Sequence, residues 1–247
     1  MNNCPPSTKE LILYLEPTPT SPFRIQVDKF IEDSKTQFYP TTACKYKCHC
    51  SMTGFFTIPN DDKELHHIID LLNKLVHKSY NSNDDNSIKQ SPTVGTTPLL
   101  VKKPKTIILD DVTNTTTIDQ YPMHLLLPIE VPKRFHSLVR DFASELASTT
   151  HNNTIVRSKS INHISLAYWD EPYATHDQTL EWHHLVLHDQ LMNRMYQAAS
   201  DIFNNNTATI DGWDFVLYER TFKGVEIGSC HQFVEWGRWT TSPPPPL

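Results

Sequence analysis

Two apolar runs and two short motifs recur in this chain at a common spacing. Leu11 opens the run Leu11 to Leu15, Leu125 lies in the run Met123 to Ile129, and 125 minus 11 is 114. His49 and His163 each begin a His-x-Ser triplet, and 163 minus 49 is again 114. Identity between the two stretches is otherwise slight, so what repeats is the order of elements. Such a chain is expected to fold as two related halves, about 8–110 and 122–240, within one domain spanning 1–247.

The elements of each half follow from periodicity. In the first, the strand Leu11 to Leu15 gives way to Pro22, which starts a stretch with Phe23, Val27, Phe30, Ile31 and Phe38 at helical spacing. Cys48 to Phe56 reads as a strand. Asp61-Asp62-Lys63-Glu64 then resembles a capping box ahead of the amphipathic series Leu65, Ile68, Ile69, Leu72, Leu75 and Val76. Residues 80–98 hold too few apolar side chains to offset the entropy of ordering them, and a flexible surface loop is expected there. Thr106 to Leu109 is expected as a strand and Val112 to Tyr121 as a polar connection.

In the second half, Pro132 opens a helix that sets Phe135, Leu138, Val139, Phe142 and Leu146 on one face. Asn162 to Trp169 reads as a strand. One long helix is expected to carry Leu180, His184, Leu187, Leu191, Met195, Ala198 and Ile202 on its apolar face. Trp213 to Arg220 and His231 to Trp239 supply closing strands, and the fold class is α+β. The tail 241–247, with Pro243 to Pro246, suits polyproline II and is weighed as an SH3 or WW ligand against an inert end.

With 247 residues, 38% of them hydrophobic, the chain can bury a sizeable core. Its net charge of -6 argues against long nucleic acid held by many phosphate contacts. A small substrate or a single RNA end fits better. No run approaches the roughly 20 apolar residues of a membrane span, and Met1 to Pro6 lacks a signal-peptide pattern. Five cysteines, an odd number, point to reduced thiols rather than a disulfide framework. A monomer in the cytoplasm, or in the nucleus, is expected, with no membrane partner.

In an extended strand alternate side chains share a face, so His49 and Ser51 point together about 7 Å apart, as do His163 and Ser165. Cys48, Cys50 and Met52, and in the second motif Ile164, Leu166 and Tyr168, face the other way. Across a pseudo-twofold axis the imidazoles and hydroxyls would surround a tetrahedral phosphate. One neutral imidazole can take a proton from water while a protonated one delivers a proton to a leaving oxygen. The serines would hold nonbridging oxygens, and neither a metal nor any other cofactor is expected.

These residues carry a resemblance. His49-Cys50-Ser51-Met52 and His163-Ile164-Ser165-Leu166 resemble the paired His-x-Ser/Thr-hydrophobic signature of the 2H phosphoesterase superfamily. Leu11 to Thr18, Asp141 to Ser148, His163 to Tyr168 and Trp213 to Arg220 are similar to the 2H domain of the T-cell ubiquitin ligand proteins. The resemblance implies a bilobal fold of two pseudo-symmetric lobes around a central cleft, each with an antiparallel sheet and two helices. It also implies hydrolysis of 2′,3′-cyclic phosphates of nucleotides or RNA ends, with His49 and His163 catalytic and Ser51 and Ser165 binding phosphate. A 3′ exoribonuclease of the twin His-x-Ser type and a non-catalytic module for nucleotides or RNA ends are the alternatives.

Other residues admit sharper or blander readings. Phe55 and Trp169 each lie six residues after a motif histidine, and either would stack on a nucleobase or only line the rim. A zinc cluster of Cys44, Cys48, His49 and Cys50 is disfavoured because alternation turns the thiols away from His49. Glu181, His184 and His188 have metal-face spacing, but His184 falls in the apolar stripe and reads as a partly buried, hydrogen-bonded histidine. Lys102, Lys103 and Lys105 read as a solvated strand end rather than an RNA contact or a nuclear signal.

Overall fold

The computed structural model describes residues 8–81, 91–108, 115–149, 154–170, 174–204, 210 and 212–241. In chain order the elements are β1 (Thr8–Pro17), α1 (Pro22–Gln37), a 3₁₀ turn (Thr42–Lys45), β2 (Cys50–Ser51), β3 (Phe56–Pro59) and α2 (Asp62–Asn81). Then come β4 (Thr93–Val94), β5 (Leu99–Ile108), β6 (Thr115–Glu130), α3 (Lys133–Thr149) and β7 (His163–Tyr168). The last are α4 (His176–Leu187), α5 (Leu191–Phe203), β8 (Trp213–Phe222) and β9 (Gln232–Thr240). The protein is mixed α and β, as expected, with two antiparallel sheets and five α-helices among the described residues.

The first sheet has the order β2-β1-β8-β9, with β3 also on β1, and the second the order β4-β6-β5, with β7 also on β6. β1 lies inside its sheet and is buried on both faces, which is why Leu11 to Leu15 is a continuous apolar run. Each sheet draws strands from both halves of the chain. β8 and β9 close the sheet begun by β1, whereas β4 and β5 pair with β6.

The helices cross over as well. Phe135 and Phe142 of α3 pack on Phe215 of β8 and Phe56 of β3, at 5.0 and 6.1 Å between ring centroids. Phe203 of α5 meets Phe23 and Phe30 of α1 at 6.4 and 6.0 Å. α5 lies on β5 and β6, and α1 against β7. Pro22 begins α1 where its fixed φ suits the first turn, and the Asp61 carboxylate caps α2 by accepting the Lys63 N–H at 2.9 Å.

Several expectations need correction. The strand Cys48 to Phe56 shrinks to Cys50–Ser51, with β3 starting separately at Phe56. Of the loop 80–98, residues 80–81 finish α2, Thr93–Val94 pair with Ile129 and Glu130, and 82–90 lie outside the described residues. The connection Val112 to Tyr121 is strand from Thr115 onward, because Thr115 to Ile118 are β-branched and pair with Lys105 to Ile108. Lys102 and Lys103 are exposed but sit in the body of β5 rather than at its end. The ladder shifts register on either side of Lys102 and Lys103, beside Pro104 and Pro122, whose nitrogens carry no hydrogen to donate. The tail beyond Thr241 is outside the described residues.

The single long helix is two, broken where Gln190 turns to φ 50. That break rotates the stripe. His184 is exposed, and His183 is the buried histidine, its Nδ1 2.7 Å from the Tyr121 hydroxyl. Tyr121→Phe leaves that nitrogen without this partner and is expected to destabilise the fold by about 1–2 kcal/mol in urea unfolding. A variant as stable as wild type would count against the bond.

Among the described residues no helix is long and apolar enough to cross a membrane. Cys44, Cys48 and Cys50 are buried free thiols and Cys230 is an exposed one.

Candidate active site

The two His-x-Ser motifs meet where β2 approaches β7. Cys50 makes the joint: its side chain is 1% exposed, and the backbone N–H groups of Asn162 and His163 point at its sulfur. Burial pushes this thiol up to about 12, so it remains an uncharged packing group. Tyr14 and Leu15 of β1 pair with Ser51 and Cys50, which fixes the first motif against the centre of the first sheet. The Thr53 hydroxyl accepts the Leu13 N–H at 3.0 Å and holds the chain leaving the motif.

A cleft of about 410 Å³ opens at this junction, lined by His49, Ser51 and Phe55 from one motif region and Ser165 from the other. His163 stands half-buried beside it, outside the lining but near enough for its charge to bear on His49. Sequence reasoning missed the cations. Lys47, Arg157 and Lys159 line the cleft and, among the described residues, no carboxylate does, a local positive field in a chain of net charge -6.

Arg157 and Lys159 arrive on a segment that runs antiparallel to the residues after Ser51. The Gly54 N–H donates to the Arg157 carbonyl at 2.8 Å and the Lys159 N–H to the Met52 carbonyl at 2.9 Å, with a bridge between Thr53 and Ser158. The signal in the sequence is Arg157-Ser158-Lys159-Ser160, cations on alternate residues just before the second motif.

The imidazole of His49 lies between Tyr14 and Tyr46, at 4.0 and 5.3 Å between ring centroids. Nδ1 is 2.7 Å from the Lys47 carbonyl, so it carries the hydrogen and leaves Nε2 with its lone pair. Burial under the two rings pulls its pKa down to about 4, and the nearby charges of His163 and Arg24 act in the same direction. His163 holds its Nδ1 2.7 Å from Asn162 Oδ1, and burial followed by the Lys159 charge lowers its pKa too.

Two expected faces reverse. In β7, Ser165 pairs with Leu126 and Ala167 with Leu125, so Leu166 is an extra residue, a bulge that shifts alternation by one. Tyr168 therefore lines the cleft instead of facing the core. Trp169 turns inward for the same reason, 9% exposed and stacked on Trp182 at 4.7 Å between ring centroids. Phe55 does line the cleft, but the Arg220 guanidinium lies 3.9 Å from its ring centroid, so one face is already covered.

No family model matches the chain, and no curated protein matches it. Among the described residues no three His, Cys, Asp or Glu side chains group as metal ligands. The exposed pair His184 and His188 lies 4.8 Å apart between ring centroids, while Glu181 instead accepts the Tyr39 hydroxyl at 2.9 Å.

Proposed function

We propose that the chain is a 2H phosphoesterase with the bilobal fold of that superfamily, hydrolysing 2′,3′-cyclic phosphates of nucleotides or RNA ends without a metal. One observation carries the reading: His49, Ser51 and Ser165 share one cleft with Lys47, Arg157 and Lys159, and among the described residues no carboxylate lines it. Such a lining favours an anion and stabilises the charge that builds on phosphorus-bound oxygens in the transition state.

In this mechanism a water oxygen bonds to phosphorus while one ribose P–O bond breaks. His49 Nε2 receives the water proton, and His163 gives its proton to the departing ribose oxygen; exchange with solvent resets both. His49 suits the base because its Nδ1–H is fixed on the Lys47 carbonyl and its low pKa keeps it neutral. Ser51 and Ser165 donate to nonbridging oxygens. The test is turnover of a 2′,3′-cyclic nucleotide in EDTA. Absence of turnover together with tight nucleotide binding would support a binding module instead.

The protonation states fix the expected pH profile. His49 must be neutral, so kcat/KM rises as pH climbs through about 4. His163 must be protonated in the free protein, and its pKa lies below the ordinary value of about 6.5, so kcat/KM falls before neutrality. A bell with its maximum on the acid side of about 6.5 is expected in initial-rate assays. A maximum above pH 8 would reject this assignment of base and acid.

A further inference from the structure

Tyr14 stands directly opposite Ser51 in the antiparallel ladder. Their side chains therefore leave the sheet on one side, with β-carbons roughly 4.5–5.5 Å apart. The residue is 3% exposed, and its ring packs against His49 at 4.0 Å and Tyr218 at 5.9 Å between centroids. It lines the cleft, and yet its buried hydroxyl has no hydrogen-bond partner among the described residues. Leaving a buried polar group in that condition destabilises the fold, a cost that a phenylalanine of the same shape would avoid. Packing alone gives no use for this oxygen.

We propose that the Tyr14 hydroxyl is a phosphate-binding donor, giving a hydrogen bond to a nonbridging oxygen of the phosphate that Ser51 and Ser165 hold. The inference rests on the reading that the cleft takes a phosphate, but not on turnover. An anionic oxygen is the acceptor that matches, since among the described residues every charged side chain lining the cleft is a cation. Burial raises the phenol well above its ordinary range, so it keeps its proton and remains a donor. The bond forms away from bulk water, where a hydrogen bond to an ion is strongest. Because the hydroxyl is covered by neighbouring side chains, a ligand reaching it must displace part of that cover, and binding has to register at Tyr14 itself.

The test titrates inorganic phosphate into wild type and Tyr14→Phe by calorimetry, and follows the Tyr14 ring in protein labelled with ¹³C at the tyrosine Cζ. Loss of one charge-assisted hydrogen bond is expected to weaken phosphate binding roughly 10- to 100-fold in the variant, with melting temperature unchanged or higher. The Tyr14 signal, identified by its absence from the variant, should move along the wild-type binding isotherm. Equal phosphate affinity in the variant, an unmoved Tyr14 signal at saturation, or no phosphate binding by wild type would each overturn the proposal. Turnover of a 2′,3′-cyclic nucleotide on the same preparations separates the two claims. Phosphate bound through Tyr14 without turnover keeps this assignment and removes the esterase.

Discussion

His49→Ala and His163→Ala are each expected to lower kcat/KM toward a 2′,3′-cyclic nucleotide by roughly 10²- to 10⁴-fold, the range a positioned acid or base contributes. The two losses have different signatures. Without His49 the rise in activity through about pH 4 disappears, because that limb is its own titration. Without His163 the fall toward neutrality disappears instead. His49→Ala also leaves a space between the rings of Tyr14 and Tyr46, and added imidazole should restore part of its rate. Full activity in either variant would sink the mechanism.

Arg24→Ala is expected to cost about 3 kcal/mol, the low end of the loss caused by removing one partner of a buried ion pair. Glu16 is 3% exposed, and Arg24 Nη1 meets its carboxylate at 2.8 Å while also donating to the Pro17 carbonyl. Tyr218 at 3.2 Å and Arg238 at 3.7 Å remain as partners, which keeps the loss from being larger. Burial raises the Glu16 pKa in spite of these partners, so desolvation outweighs attraction in this pair. Arg24→Ala in a Glu16→Gln background should therefore cost less than in wild type. The same change reaches the site, since the Arg24 charge depresses His49; its removal should move the acidic limb of the pH profile upward. Unfolding in urea measures the first effect, and a loss under about 1 kcal/mol, the scale of an exposed pair, would contradict it.

Most strands and helices were legible because their apolar residues keep one period from end to end. The α3 face Phe135, Leu138, Val139, Phe142 and Leu146 is buried as its spacing implies, and β8 and β9 lie where the aromatic runs suggest. Errors cluster where period breaks. One unpaired residue, Leu166, exchanged the roles of Tyr168 and Trp169, and one left-handed residue, Gln190, exchanged those of His183 and His184. Both faults are single-residue events that leave composition untouched. At the site, the motif residues could be picked out by their common spacing, but Tyr14, Lys47, Arg157 and Lys159 could not. They reach the cleft through pairing between distant segments, Tyr14 with Ser51 and Arg157 with Gly54, and no local pattern encodes that.

For the proposed chemistry both histidines must address one phosphate. Long-range ¹H–¹⁵N spectra of the imidazoles, recorded while adenosine 2′-monophosphate is titrated in, test this directly. The nitrogens of His49 and His163 should move together on one isotherm with a stoichiometry of one, both toward the protonated form as the phosphate charge arrives. If either imidazole stays fixed at saturation, the two motifs do not share a phosphate.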